Sequence, residues 1–250
     1  MSSGVDTTGG GDIRLPKEDD DHLAHTPRHS PRRRRRRFLS FRHLNALAVL
    51  AVLAASGMVP ATDLTFVLFS FVYLLLLSAT AFPPLGPPGA AADPPVFGAR
   101  NRLLAAYVSV GAVVGLLLPV AYILDGVLAG DKEGIRAAAP HLFLLAAQVF
   151  LEGVTFSWRF SLPMRAFVPI FYNTKRLFTI VDWLASEFGK AEGEHGAARR
   201  LLAGRALAVA NLAFWAFNLF GFLLPVYLPR ALKGYYCGNS SNNNNTKVKD

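Results

Sequence analysis

The chain has 250 residues, of which 52% are hydrophobic and 17% are charged. Soluble domains are about 45–50% apolar and about 25% charged, so this composition departs in the direction of membrane proteins. The net charge is +9, but the charges lie between long apolar blocks, which is typical of topology signals and argues against nucleic-acid binding. The single cysteine, Cys237, excludes an internal disulfide and cysteine-based metal motifs.

Residues 1–37 are predicted to form a disordered cytosolic tail, because they are polar and lack apolar periodicity. The tail ends in a run of arginines, and one more arginine follows at the edge of the first apolar block. Such a patch orients a membrane protein and also attracts anionic lipid headgroups. It consists of Arg32, Arg33, Arg34, Arg35, Arg36, Arg37 and Arg42.

Residues 38–235 are predicted to form an all-α domain, a multi-pass transmembrane helical bundle with about five spans. The apolar blocks approach or reach the ~20 residues that a helix needs to cross a ~30 Å hydrocarbon core. The predicted spans lie near residues 40–59, 64–82, 103–124, 137–158 and 206–228. Prolines and glycines in residues 83–102 predict an extended linker, and the Asn-rich residues 236–250 predict a disordered tail.

Residues 160–188 are too charged for an ordinary span and are predicted to lie at the cytosolic membrane interface. Pro163 and Pro169 should break the first part of this segment. The second part should be an amphipathic helix, with apolar residues at helical spacing: Leu177, Ile180, Val181, Leu184 and Phe188. A sixth crossing would bury Arg165, Lys175 or Arg176 at ~2.5–3.5 kcal/mol each, so five spans are preferred.

With five spans, the distribution of basic residues favours a cytosolic N-terminus and a lumenal C-terminus. The C-terminal tail provides markers for both arrangements. Asn239 and Asn244 begin glycosylation acceptor sequences, which would be used in the lumen. Cys237 would be a palmitoylation candidate in the cytosol.

Five residues with amide, carboxyl or imidazole side chains lie within the apolar blocks of the fourth and fifth spans. His141, Gln148 and Glu152 share one helical face, as do Asn211 and Asn218. Antiparallel packing of these two spans would place Gln148 opposite Asn218 and Glu152 opposite Asn211. The preferred interpretation is interhelical hydrogen bonding, and the alternative is a solute or proton site in which Glu152 titrates.

Gly111 and Gly115 form a GxxxG spacing, which allows another helix to approach closely. No catalytic, cofactor-binding or metal-ligating residue is assigned. The sequence contains none of the common hydrolase, zincin or phosphate-loop motifs. His141 and Glu152 would be ~16 Å apart along a helix, which is too far to share a metal ion.

Several strings resemble a plant family of uncharacterised multi-pass membrane proteins, a domain of unknown function. The strings occur in order between Phe38 and Tyr235: FLSFRHLN, AASGMV, PVAYILDG, GDKEGIRAAAPHLFLLAAQVFLEG, RFSLPMRAFVPIFYN and GRALAVANLAFWAFNLFGFLLPVYLPRA. The resemblance implies a plant integral membrane protein. It implies no activity, ligand or catalytic residue.

These observations favour a non-enzymatic scaffold, adaptor or trafficking component of the plant endomembrane system. The alternative is a small oligomeric transporter or channel that uses the polar residues around Glu152. The expected partners are the bilayer, anionic lipid headgroups at the cytosolic face, and other proteins or further copies of this chain. The endoplasmic reticulum, the Golgi and the plasma membrane all remain open as locations.

Overall fold

The computed structural model describes residues 41–84, 102–157, 160–190 and 195–247. Every regular element in these ranges is a helix: α1 (Phe41–Ala55), α2 (Ala61–Thr80), α3 (Arg102–Ala112), α4 (Leu118–Ala129), α5 (Lys132–Ser157), α6 (Leu162–Gly189), α7 (His195–Phe217) and α8 (Leu228–Lys247). π-helical stretches join α3 to α4 (Val113–Leu117) and α7 to α8 (Asn218–Tyr227). The α3–α4 and α7–α8 pairs therefore each run as one long helix.

Four segments of the described helices are long and apolar enough to cross a membrane: Ala61–Thr80, Arg102–Ala129, Lys132–Phe156 and Ala198–Cys237. The predicted first span is the exception. Its helix, α1, has 15 residues, or ~22 Å, against a hydrocarbon core of ~30 Å. A turn at Ser56 and Gly57 ends it, and Gly57 adopts a positive φ of 68° that favours glycine.

The helices alternate in direction between the two ends of the bundle. At one end, the Ser161 hydroxyl donates to the Phe82 carbonyl at 2.8 Å, and the Tyr235 hydroxyl donates to the Pro83 carbonyl at 3.1 Å. Helix α1 begins at this end, which we call the Phe41 end. The α1–α2 and α4–α5 turns lie at the opposite end, which we call the Gly130 end.

Helices α1, α3–α4 and α6 run from the Phe41 end to the Gly130 end, and α2, α5 and α7–α8 return. Residue pairs between neighbouring helices show these directions. Arg176 meets Gln148 on α5, whereas the Trp183 and His141 rings lie 6.2 Å apart nearer the Gly130 end. Because α6 runs antiparallel to both α5 and α7, those two helices point the same way.

Helix α6 is a continuous 28-residue helix in the middle of the bundle, where a broken interfacial segment was predicted. Pro163 occupies its first turn, where a missing N–H costs nothing, and Pro169 is accommodated inside it. The helix packs against α5, α7, α8 and α2. The predicted break within residues 160–188 is therefore wrong, and the interfacial position of this segment stays a prediction.

Helix α6 buries charged and polar side chains together with apolar ones, and it exposes some large apolar side chains. Arg176 and Glu187 are fully buried, whereas Phe178 and Phe188 are 64% and 58% exposed. Of the predicted apolar stripe, Val181 is also exposed. The interior of the bundle therefore contains charged side chains of α6, and large apolar side chains lie on its outer surface.

At the C-terminus, the helix continues to Lys247, although residues 236–250 were predicted to be disordered. Extending an existing helix requires no new nucleation, so polar residues can follow it. The predicted N-terminal tail, nearly all of the proline-rich linker and the last three residues lie outside the described residues.

Candidate functional site

The α3–α4 helix presents two backbone carbonyls to side chains from other helices. Pro119 has no N–H, so it cannot donate to Gly115 in an α-helix or to Val114 in a π-helix. His141 lies with its Nε2 2.8 Å from the Gly115 oxygen, and Asn211 donates to the Val114 oxygen at 3.0 Å. A carbonyl only accepts, so Nε2 of His141 carries the proton. Two of the predicted polar residues therefore bind neighbouring carbonyls, one of which lacks its intrahelical donor because of Pro119.

Gln148 and Glu152 meet an arginine that belongs to α6. The Gln148 Nε2 atom donates to Glu152 Oε1 at 2.8 Å, and the Gln148 Oε1 atom accepts from Arg176. Arg176 is fully buried, and its guanidinium lies 4.1 Å from the centroid of the Trp215 ring. A desolvated cation over a tryptophan ring gains ~2 kcal/mol or more, which offsets part of the cost of burying the charge.

Trp215 links this cluster to the two carbonyl contacts. Its indole N–H donates to Asn211 Oδ1 at 3.2 Å, and its backbone carbonyl accepts from Asn173 at 2.9 Å. The connected side chains come from α5, α6 and α7 and reach the backbone of α3–α4. We call this group the central polar cluster: His141, Gln148, Glu152, Asn173, Arg176, Asn211 and Trp215.

Asn218 lies outside the central polar cluster. Its Oδ1 accepts from the Tyr107 hydroxyl at 2.7 Å, nearer the Phe41 end. The hydrogen bonds described for Gln148, Asn211 and Asn218 are made to residues other than their predicted partners. The predicted antiparallel packing of the fourth and fifth spans is wrong, because α6 runs between α5 and α7 and makes them parallel.

Gly111 and Gly115 lie at a close helix approach within the chain. A Cβ atom would lie 2.9 Å from the Phe214 ring at Gly111, and 2.6 Å from the Trp215 ring at Gly115. Both rings belong to α7, so the GxxxG spacing accommodates aromatic side chains of a neighbouring helix. The cluster's Trp215 reaches Arg176 only because position 115 has no side chain.

A second group of polar residues joins α4, α6 and α7 near the Gly130 end. The Tyr122 hydroxyl donates to Glu187 at 2.8 Å, and Lys190 also contacts Glu187 at 2.9 Å. Arg200 donates to Asp131 at 2.8 Å. Burial alone would raise the pKa of Asp131. Hydrogen bonds from the Gly134 amide and from Arg200 together lower this pKa by more than burial raises it, so it lies below its ordinary value. These contacts fix the ends of the helices.

Two further polar pairs attach α2 to α6. Asp63, which is fully buried, lies 2.8 Å from Lys175 Nζ. The Ser70 and Tyr172 hydroxyls lie 2.8 Å apart. In the sequence, the charges of Lys175 and Arg176 argued against burial of this segment. One face of α6 nevertheless carries buried polar and aromatic side chains at helical spacing: Arg165, Tyr172, Arg176, Trp183 and Glu187. That recurrence was the available signal for an inward polar face.

Arg32–Arg37 lie outside the described residues, as does the side chain of Arg42, so the arginine patch remains a prediction. Among the described residues, no group of three or more His, Cys, Asp or Glu side chains could hold a metal ion. The central polar cluster also offers no nucleophile placed beside a base. Its chemistry is hydrogen bonding around one buried cation.

In the part of the chain that the structure describes, the fold is all-helical, with four helices long and apolar enough to cross a membrane and a cluster of polar side chains in the interior. Residues 39–236 match the model of a family described as a domain of unknown function (DUF7733), and the chain belongs to that family. Searches of curated proteins and of solved structures gave no match.

Proposed function

We propose that the chain is a multi-pass membrane protein in which α6 crosses the bilayer beside the four long apolar helices. The burial of Arg176 and the exposure of Phe178 on α6 support this proposal. Helix α6 also follows α5 from Gln148 to His141, so a bilayer that contains α5 contains α6. The predicted penalty for burying arginine is reduced by its contacts with Gln148 and Trp215.

Helix α1 runs in the same direction as α6, and it completes six crossings. A local thinning of the bilayer accommodates a short helix at modest cost. An even number of crossings places the start of α1 and the end of α7–α8 on the same side of the membrane. Because the arginine run precedes α1 in the sequence, the positive-inside rule makes that side cytosolic. The C-terminal residues then face the cytosol, in contrast to the lumenal position that five spans predict.

Cys237 provides the test of this topology, because it is exposed and is the only cysteine. In sealed microsomes whose cytosolic face points outward, a membrane-impermeant maleimide should label Cys237 without detergent. Cys237→Ser is the control for specificity. Labelling that requires detergent, or glycosylation at Asn239 or Asn244, would overturn the six-crossing topology.

We propose further that the protein is a non-enzymatic scaffold, adaptor or trafficking component, with the central polar cluster holding the helices together. The observation that supports this role is the pairing within the cluster. Gln148 bonds to both Glu152 and Arg176, and Asn211 and Asn173 bond to backbone carbonyls. Polar residues that form hydrogen bonds between helices in this way specify which helices pack together. The plant origin stays a prediction from the resemblance, and the endomembrane system stays the default location of a protein with such spans.

A transporter or channel is the second candidate, and one observation favours it. Two nitrogens of the buried Arg176 side chain, Nε and Nη1, have no hydrogen-bond partner among the described residues. Unused donors on a buried cation are a feature of solute and proton pathways. Glu152 would then be the acid that works beside Arg176.

Glu152→Gln discriminates between these two functions. A scaffold should keep its abundance and its neighbours in proximity labelling from the N-terminus. A proton-coupled transporter reconstituted in liposomes should lose a pH change reported by an enclosed dye. Asp125→Asn is the matched control, because Asp125 is an exposed carboxylate outside the central polar cluster. Loss of dye response in Glu152→Gln alone would replace the scaffold role with transport.

A further inference from the structure

A cavity of about 400 Å³ opens near the Gly130 end, between the α1–α2 turn, the first turns of α5 and the C-terminal half of α6. Asp63, Thr179 and Trp183 line it and are almost completely buried. Glu133 and Asp182 also line it and are exposed. The cavity therefore combines a buried polar floor with an accessible charged rim.

The floor contains polar atoms that the described protein does not satisfy. Oδ1 of Asp63 lies 2.8 Å from Lys175 Nζ, while Oδ2 of Asp63 has no hydrogen-bond partner among the described residues. The Trp183 indole N–H also has none in this part of the chain. Buried polar groups are normally paired, so these atoms are an acceptor and a donor that a ligand in the cavity could satisfy.

We propose that this cavity binds an ethanolamine phosphate group, which carries a primary ammonium and an anionic phosphate. The carboxylates of Asp63, Glu133 and Asp182 suit the ammonium, which donates hydrogen bonds to them. Lys175 and Arg136, which also line the cavity, suit the phosphate oxygens.

The lining favours a primary ammonium over the quaternary ammonium of choline. Quaternary groups have no N–H donors and are held by several aromatic rings. Trp183 is the only aromatic residue among the described residues that line this cavity, whereas three carboxylates line it. The indole N–H of Trp183 can instead donate a hydrogen bond to a phosphate oxygen of the ligand.

The position of the cavity fits a lipid headgroup. It follows α5 from Glu133 to Pro140, which is ~10 Å along the helix. That depth corresponds to the headgroup layer and its border with the ~30 Å hydrocarbon core. The same chemistry occurs in free phosphoethanolamine and in phosphatidylethanolamine, and only the lipid source rests on the proposed membrane placement.

The test uses the full chain in detergent micelles, with native mass spectrometry and thermal unfolding as readouts. Phosphatidylethanolamine should be retained and should stabilise the protein more than phosphatidylcholine of the same acyl chains. Asp63→Asn should weaken this binding about tenfold or more, the expected effect of losing a charged hydrogen-bonding partner. Asp125→Asn, an exposed carboxylate outside the cavity lining, should bind like the unaltered chain.

Asp63→Asn also breaks the ion pair with Lys175, so a second variant separates binding from folding. Asp63→Asn combined with Lys175→Gln removes both charges, and it should fold yet still lose the preference for phosphatidylethanolamine. The double variant's retention of that preference would overturn the proposal.

A third experiment uses free phosphoethanolamine and distinguishes the free compound from the lipid as the natural ligand. Stabilisation by the free compound supports a site that recognises the headgroup alone. Binding of the lipid without any effect of the free compound supports a site that takes the headgroup within a bilayer. Equal binding of both lipids, or no binding of either compound, overturns the proposal and leaves the six-crossing topology to its own labelling test.

Discussion

Helix α6 and the α3–α4 helix have the same length, 28 residues, but opposite relations to the interior of the bundle. The α3–α4 helix is strongly apolar, and only 11% of its most apolar 18-residue stretch is buried. Helix α6 is too charged to qualify as a span by composition, yet Arg176, Tyr172 and Trp183 on it are completely buried. Of these two helices, the more apolar one is the less buried, and the more charged one lies in the interior.

Replacing Arg176 should have the largest effect, because it removes the buried cation that Gln148 and Trp215 contact at the centre of the bundle. We expect Arg176→Ala to destabilise the protein by ~3–5 kcal/mol, since Gln148 and Glu152 lose their buried partner. Unfolding by dodecyl sulfate in mixed micelles measures this change. Phe178→Ala is the matched control on the same helix, and its exposed side chain should contribute little.

If Arg176→Ala costs no more than Phe178→Ala, the inward face of α6 does not organise the bundle. Arg176→Lys sharpens the result. A lysine retains the charge but not the planar group above Trp215, so we expect intermediate stability.

Gly115→Ala should have the next largest effect. The added Cβ would lie 2.6 Å from the Trp215 ring, and overpacking of this kind costs ~1–3 kcal/mol. Gly189→Ala is the control, because a Cβ at Gly189 meets no atom within 4 Å. The same unfolding titration should therefore separate the two alanines. Equal stability would show that Trp215 can move away without loss.

The smallest expected effect is the coupling between His141 and Pro119, which tests why His141 is placed on α5. His141→Phe removes the donor to the Gly115 carbonyl, and an unsatisfied buried carbonyl costs ~1–3 kcal/mol. Pro119→Ala restores a backbone N–H to α4, so the His141 substitution should cost less in that background. A double-mutant cycle measures the difference, with an expected coupling of ~1 kcal/mol. Additive effects would mean that His141 does not compensate for Pro119.

Part of the central polar cluster could be found from the sequence, and part could not. His141, Gln148 and Asn211 stood out because they interrupt apolar blocks, and each lies in the cluster. Arg176 could not be recognised in this way, because its own segment is charged and its partners come from other helices. Its position depends on Gln148 and Trp215, which lie 28 and 39 positions away along the chain.

The family match, the helical class and the four long apolar helices follow from the order of residues alone, because length and hydrophobicity are local properties. The tertiary structure decided the place of α6 and hence the relative direction of α5 and α7. It also decided the partners of the buried polar side chains. A charge is costly in an apolar interior unless other helices supply its partners, and only the packed bundle shows that they do.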